Sequence, residues 1–364
     1  MESGKKISKI KNFLENQVWK WVSQNIETQL VPRFPSKKNF KILPVDESDP
    51  NSKDIVNELC DQFSTTSLSS SREFDGLCIS VLNVGDKKLI CGMYRNGGRF
   101  LKSLSNNENK DLLEAELTFL QKILVLSFFD IGATESIDIK VWESVPIFEK
   151  DIERYMPEML VYELAQEDAK EEDDFIILRF LLSLELVSSN AHAFQNEIFT
   201  VLQFLLATGH DWLTNQFLSA MLSSRNSSYF AEIYKLVEFF FPLQNVLRLK
   251  QSTSFSGSTM ELLSFCRADL KWNQNHHMGA RASVAYATPH FAEILLEKLF
   301  SETNKDEIKF KEEAIERISV MRHSIVHQDF KDSAPSEDDL RRATHAMLIF
   351  LAESFNNYVI ESSS

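Results

Sequence analysis

Arg322 and His327 stand five residues apart in the run Arg322-His323-Ser324-Ile325-Val326-His327. Cleaving an RNA phosphodiester without a metal needs a proton shuttle between the 2′-hydroxyl and the leaving 5′-oxygen. It also needs a cation for the extra negative charge of the pentacovalent phosphorane. Histidine ionises near neutral pH and suits the first task. Arginine stays charged, and its planar fork can grip two phosphate oxygens. A pattern this short carries on the order of one chance match in a chain of this composition. Arg317 with His323 is a second match, interleaved with the first. The surrounding elements must therefore discriminate.

The spacing predicts a helix from about Lys305 to Val326. Ala314, Ile318, Met321 and Ile325 recur at steps of four, three and four, the apolar stripe of a bundle helix. Asp306 and Glu307 suit its first turn, where negative charge meets the helix dipole. Arg322 edges onto the stripe, where an arginine is expensive unless something pairs with it. His323 and His327 share a different face. Pro335 ends the following loop, and Ser336 with Asp339 reads as a capping box opening the last helix. Leu340, Met347, Leu348, Leu351 and Phe355 are that helix's expected apolar face.

The phrase ERISVMRHSIVHQDF, with the earlier YFAEIYKLVEFFFPL as an opening helix, resembles the HEPN superfamily, and most closely its Apea-like branch. The resemblance covers roughly the last third of the chain. Arg322 and His327 match the two defining motif positions, and His323 matches the polar second position. Glu238 is the candidate for the acidic residue of the opening helix. The departures are His323 where asparagine is common and Gln328 where glycine is common. The resemblance implies an up-and-down helical bundle and metal-independent endoribonuclease activity on RNA, tRNA among the substrates. It also implies a site assembled across a homodimer, and a role in antiviral defence or a toxin system. Helix geometry agrees with a shared site, because residues five apart lie about 140° apart around the axis. Two copies meeting at a two-fold axis could close Arg322 and His327 onto one phosphate.

At 364 residues the chain has room for two or three domains. Its 43% hydrophobic and 25% charged fractions are those of an ordinary globular protein. No apolar run reaches the length of a membrane span, and the N-terminus lacks a signal-peptide core. Four cysteines without a CxxC pair fit a reducing compartment, and a cytoplasmic location is expected. The net charge of −14 is uneven: residues 1–41 hold nine Lys/Arg against three Glu, a local +6. Such an arm could contact nucleic acid or an acidic partner, although a solvated helix face is the commoner outcome. An acidic body disfavours broad RNA affinity and favours a selective nuclease.

The fold class expected is mainly α, with an N-terminal α+β domain over residues 1–150. A helical connector over 151–225 and a HEPN-like bundle over 226–364 would follow. Within the first domain the sequence predicts a helix over Ile7–Ile26, another near Asp54–Phe63 and a Ser/Thr-rich loop over Ser64–Ser71. A hairpin around Gly85-Asp86 follows, with a second turn at Asn96-Gly97-Gly98. A helix near Leu112–Phe128 and a strand near Ile137–Trp142 complete the unit. Asp168–Asp174 marks the boundary, followed by helices over Phe175–Val187, Phe194–Leu206 and Trp212–Leu222. The polar stretch holding His276, His277 and His290 reads as a loop that could line a substrate groove. With Cys266 it fits no standard zinc spacing. His323 and His327 lack the H-E-x-x-H glutamate. No metal or cofactor is expected.

These readings converge on an Arg/His ribonuclease. His327 is the expected general acid/base, Arg322 the phosphate-stabilising group and His323 a supporting proton donor. Glu238, Arg341 and Arg342 are candidate substrate contacts. A protein or phage-derived trigger would act at the N-terminal domain. The alternative is a non-catalytic HEPN-like dimer binding a nucleotide or a partner protein.

Overall fold

The computed structural model describes residues 65–95, 112–131, 133, 153, 155–164, 172–184, 187–269, 276–327 and 334–363, together with Lys20, Trp21 and Gln24. The chain divides into two compact units, residues 1–180 and 181–364.

The first unit is built on an antiparallel sheet of strands β1 (Thr66–Phe74), β2 (Leu77–Val84), β3 (Lys87–Tyr94), β4 (Leu112–Glu114) and β5 (Met159–Leu164). The strand order is β1-β2-β3-β5-β4. Two-residue turns set its register. Asp75-Gly76 joins Phe74 to Leu77 with positive φ at both positions (46° and 82°), the geometry of a type I′ turn. Gly85-Asp86 joins Val84 to Lys87, with positive φ at the glycine alone, as expected of a II′ turn.

Helix α1 (Phe119–Phe129) covers one face of the sheet: Ile123, Val125 and Leu126 pack with Cys78, Leu82, Cys91 and Met93. Trp21 joins this core and donates its indole N–H to the Ile131 carbonyl at 2.7 Å. Cys78 and Cys91 are free, buried thiols. On the opposite face, Tyr162 meets Phe180 of helix α2 (Asp173–Ser183), with ring centroids 6.1 Å apart. The start of α2 is tied down by charge. Arg72 donates to Asp174 at 3.0 and 3.1 Å, and Lys88 lies 3.0 Å from Asp173.

The second unit is helical among the described residues. Its elements are α3 (Ser189–Ala193), α4 (Gln195–Thr208), α5 (Asp211–Ala220), α6 (Asn226–Phe240), α7 (Leu243–Thr253) and α8 (Thr259–Ala268). They continue as α9 (His276–Ser283), α10 (His290–Leu296), α11 (Glu307–His327) and α12 (Glu337–Ser363). Helix α12 packs on α4, α6 and α10, while α11 packs on α6, α9 and α10. Interlocked rings fill the centre: Phe240 meets Phe355 at 4.8 Å and Phe291 meets Phe350 at 5.3 Å. Leu340, Met347, Leu348, Leu351 and Phe355 are all buried, as the apolar stripe predicts. Ser336 and Asp339 form the expected capping box: each backbone N–H donates to the other's side chain, at 3.3 and 3.1 Å.

Several local expectations need correction. Ser67–Ser71 lie in β1, not in a loop; Ser-rich sequence hid an edge strand that bulges between Leu68 and Ser70. The helix expected from Leu112 starts only at Phe119, because Thr118 and Gln121 cap it there and Leu112–Glu114 pair with β5. Strand β5 lies beyond residue 150, so the sheet-bearing region extends past that position. His276 and His277 open helix α9 instead of sitting in a loop. The expected helices over Ile7–Ile26 (except three residues) and Asp54–Phe63, the turn at 96–98 and the strand over Ile137–Trp142 fall outside the described residues.

Candidate active site

Helix α11 carries the Arg/His run on its last two turns. Phe310, Ala314, Ile318 and Met321 bury one side, and Arg322 occupies the edge of that side with its side chain 31% exposed. Two residues of α6 hold it there. Its guanidinium lies 3.6 Å from Oε1 of Glu238 and 5.6 Å from the ring centroid of Tyr234. Burial pushes the Tyr234 phenol above its ordinary pKa, and its hydroxyl donates to Ser319 Oγ at 3.0 Å. Ser319 in turn donates to the Ile315 carbonyl, one turn back on α11.

The contact with Glu238 is a charge pairing at a separation longer than a guanidinium–carboxylate hydrogen bond. Among the described residues the Arg322 side chain makes no hydrogen bond, so the fork is oriented without spending its N–H donors on them. Such a cation can take a phosphate oxygen without first breaking a tight bond.

His323 is exposed and follows Arg322 directly. His327 is the last residue of α11, and its side chain lies outside the described residues. Two other expected contacts are placed differently. Arg342 pairs with Glu297 and, at 3.1 Å, with Asp339, which also takes Arg317 at 3.3 Å. Hydrogen bonding to Ser336, ahead of the nearby arginines, holds the Asp339 carboxyl below its usual pKa. Arg341 is exposed with its guanidinium 5.9 Å from the Phe194 ring. Among the described contacts, neither Arg341 nor Arg342 joins Arg322 or Glu238. Both are engaged at the entry to α12.

Sequence reasoning did not single out Tyr234 or Ser319. The signal existed: Tyr234 is four residues before Glu238, and Ser319 is three before Arg322, so each pair shares a helix face. The histidines upstream are dispersed. His277 Nε2 lies 3.7 Å from Glu316, His290 Nδ1 lies 3.7 Å from Glu293, and Cys266 is buried on α8. No family model, curated protein or solved structure matches the chain.

Proposed function

We propose that this protein is a metal-independent endoribonuclease of the HEPN type, with Arg322 as its phosphate-stabilising cation. The observation that carries the reading is the state of Arg322: held half-buried by Tyr234 and Glu238, its side chain without a hydrogen bond among the described residues, one residue from His323 and five from His327. An arginine placed only for packing would be expected to spend its donors on neighbours. One placed for catalysis must keep them for charge that develops in the transition state.

In this mechanism a histidine, His327 in our assignment, takes the proton of the RNA 2′-hydroxyl. The 2′-oxygen then bonds to phosphorus, and Arg322 neutralises the non-bridging oxygens of the phosphorane. The bond to the 5′-oxygen breaks as a protonated histidine, His323 or His327 of a second copy, donates its proton to that oxygen. The products are a 2′,3′-cyclic phosphate and a free 5′-hydroxyl. The 140° between positions 322 and 327 on one helix is the reason for invoking a second copy. Antiviral defence or toxin action, with a trigger sensed by the N-terminal unit, is the biological setting that the family resemblance suggests.

The test is incubation of the purified chain with total RNA and with tRNA in EDTA, beside Arg322→Ala and His327→Ala. Cleavage in chelator that yields cyclic-phosphate ends and is lost in both variants is the expected result. Cleavage that persists in both variants would remove the assignment. The second reading, a non-catalytic dimer that binds a nucleotide or partner protein, is favoured by one observation, the neutralisation of Arg322 by Glu238. It predicts that the wild type cleaves no RNA and that Arg322→Ala lowers stability.

A further inference from the structure

The histidine-rich stretch ahead of α10 is not used by the site above, yet it leads to the same helix. Helix α9 packs on α11 and on α6. On α11, residues 316, 320, 323 and 327 recur at steps of four, three and four and so occupy one stripe. Val320, on this stripe, is 68% exposed, a large apolar residue left in solvent between Glu316 and His323. At the start of the stripe Glu316 accepts from Nε of Arg281, and the same oxygen lies 3.7 Å from Nε2 of His277. Seven residues of helix separate Glu316 from His323, about 10 Å along the axis. Along the sequence, residues 239–292, bounded by Glu238 and Glu293, hold five Lys/Arg and two Asp/Glu, within a chain of −14.

We propose that Arg281, with His277 beside it, is a second phosphate-binding site for single-stranded RNA, and that Glu316 occupies it in the free protein. The proposal rests on the nuclease reading and extends it: a strand laid along the α11 stripe meets Arg281 at one end and His323 at the other. Glu316 is a stand-in for phosphate. The ion pair is partly exposed on both sides, 47% for Arg281 and 31% for Glu316. A pair of this kind favours its closed form by no more than roughly fivefold. A phosphate group can also take two bonds from Arg281, and its binding releases counterions from the RNA, so it can displace the carboxylate. The latch also fits an acidic protein, since it lowers affinity for RNA until a strand is aligned on the stripe.

The experiment measures binding of a fluorescent, fully 2′-O-methylated 20-mer RNA to the full chain across a salt series, with cleavage of unmodified RNA followed alongside. The methylated probe cannot be cut by a mechanism that needs the 2′-hydroxyl. Arg281→Ala is expected to weaken binding about five- to tenfold and to reduce the slope of log affinity against log salt by about 0.7, one phosphate contact on a single strand. Glu316→Gln is expected to act in the opposite direction, tightening binding roughly two- to fivefold. Unfolding midpoints of both variants should stay near the wild type, because the pair is exposed. Opposite signs are the signature. The proposal is overturned if Glu316→Gln weakens binding as Arg281→Ala does, if neither variant changes affinity or salt slope, or if the wild type does not bind. Shifts of the expected sign without any cleavage remove the nuclease reading and leave this site standing. Cleavage with both variants binding and cutting like the wild type does the reverse.

Discussion

Each unit pins an arginine against a carboxylate from a distant part of the chain, and the two pairs are built differently. In the sheet unit Arg72 gives Asp174 two hydrogen bonds of 3.0 and 3.1 Å, and the carboxylate sits in the first turn of α2, where the helix dipole favours it. In the helical unit Arg322 stays 3.6 Å from Glu238 and rests against Tyr234. The first arginine is committed to a bidentate pair and joins a helix to a sheet. The second is aimed and, among the described residues, makes no side-chain hydrogen bond. Burial and charge alone do not separate a structural arginine from a candidate catalytic one; the number of donors already spent does.

That contrast can be broken most directly by cleavage assays. Arg322→Ala is expected to lower RNA cleavage by about 10²- to 10³-fold, the scale of losing one transition-state charge contact, as read from cyclic-phosphate ends. Arg72→Ala should leave cleavage unchanged while lowering stability by about 1–2 kcal/mol in urea unfolding, because Asp174 loses both hydrogen bonds from Arg72. Equal losses of cleavage in the two variants would erase the distinction. Smaller effects sharpen it. Thr118→Ala and Ser336→Ala each remove a capping-box hydroxyl, one at α1 and one at α12, and each should destabilise its helix by about 1 kcal/mol. Neither should alter the pattern of RNA products.

The smallest effect expected is on acid stability. Burial alone would raise the Asp173 pKa, but hydrogen bonds from Ser69 and Lys88 outweigh it and hold the group below its usual value. A depressed folded-state pKa contributes stability that is present above the unfolded value near 3.9 and is lost as pH falls below it. Urea midpoints of the wild type should therefore drop as pH falls below about 4, and Asp173→Asn should flatten that drop.

Much of the architecture could be read from residue patterns, for identifiable reasons. The Gly85-Asp86 hairpin was legible because a glycine at the first turn position leaves few alternatives. Helices α11 and α12 were legible because their apolar residues repeat at helical spacing over many turns. Strand β1 was hidden by its serines, which carry little strand preference, and β5 by its shortness after Pro157. The start of α1 was available in Thr118 and Gln121 but was masked by the apolar Leu112-Leu113 ahead of them. At the candidate site, the stripe foretold that Arg322 needs a partner. That Glu238 supplies it was only suggested, since pairing across α6 and α11 depends on how two helices cross. Tyr234 shares the Glu238 face of α6, but that its ring meets Arg322 depends on the same crossing.

The buried thiols give the two units separate clocks. Burial raises Cys78 to about 11 and Cys91 to about 12, so at neutral pH almost no thiolate is present to meet a labelling reagent. Modification must wait for the sheet to open, and its rate reports how often that happens. Cys266, buried on α8, does the same for the helical unit. With Cys60 replaced by serine, a mass-resolved labelling time course would time the opening of sheet and helices within one molecule, and would show which of the two an RNA ligand slows.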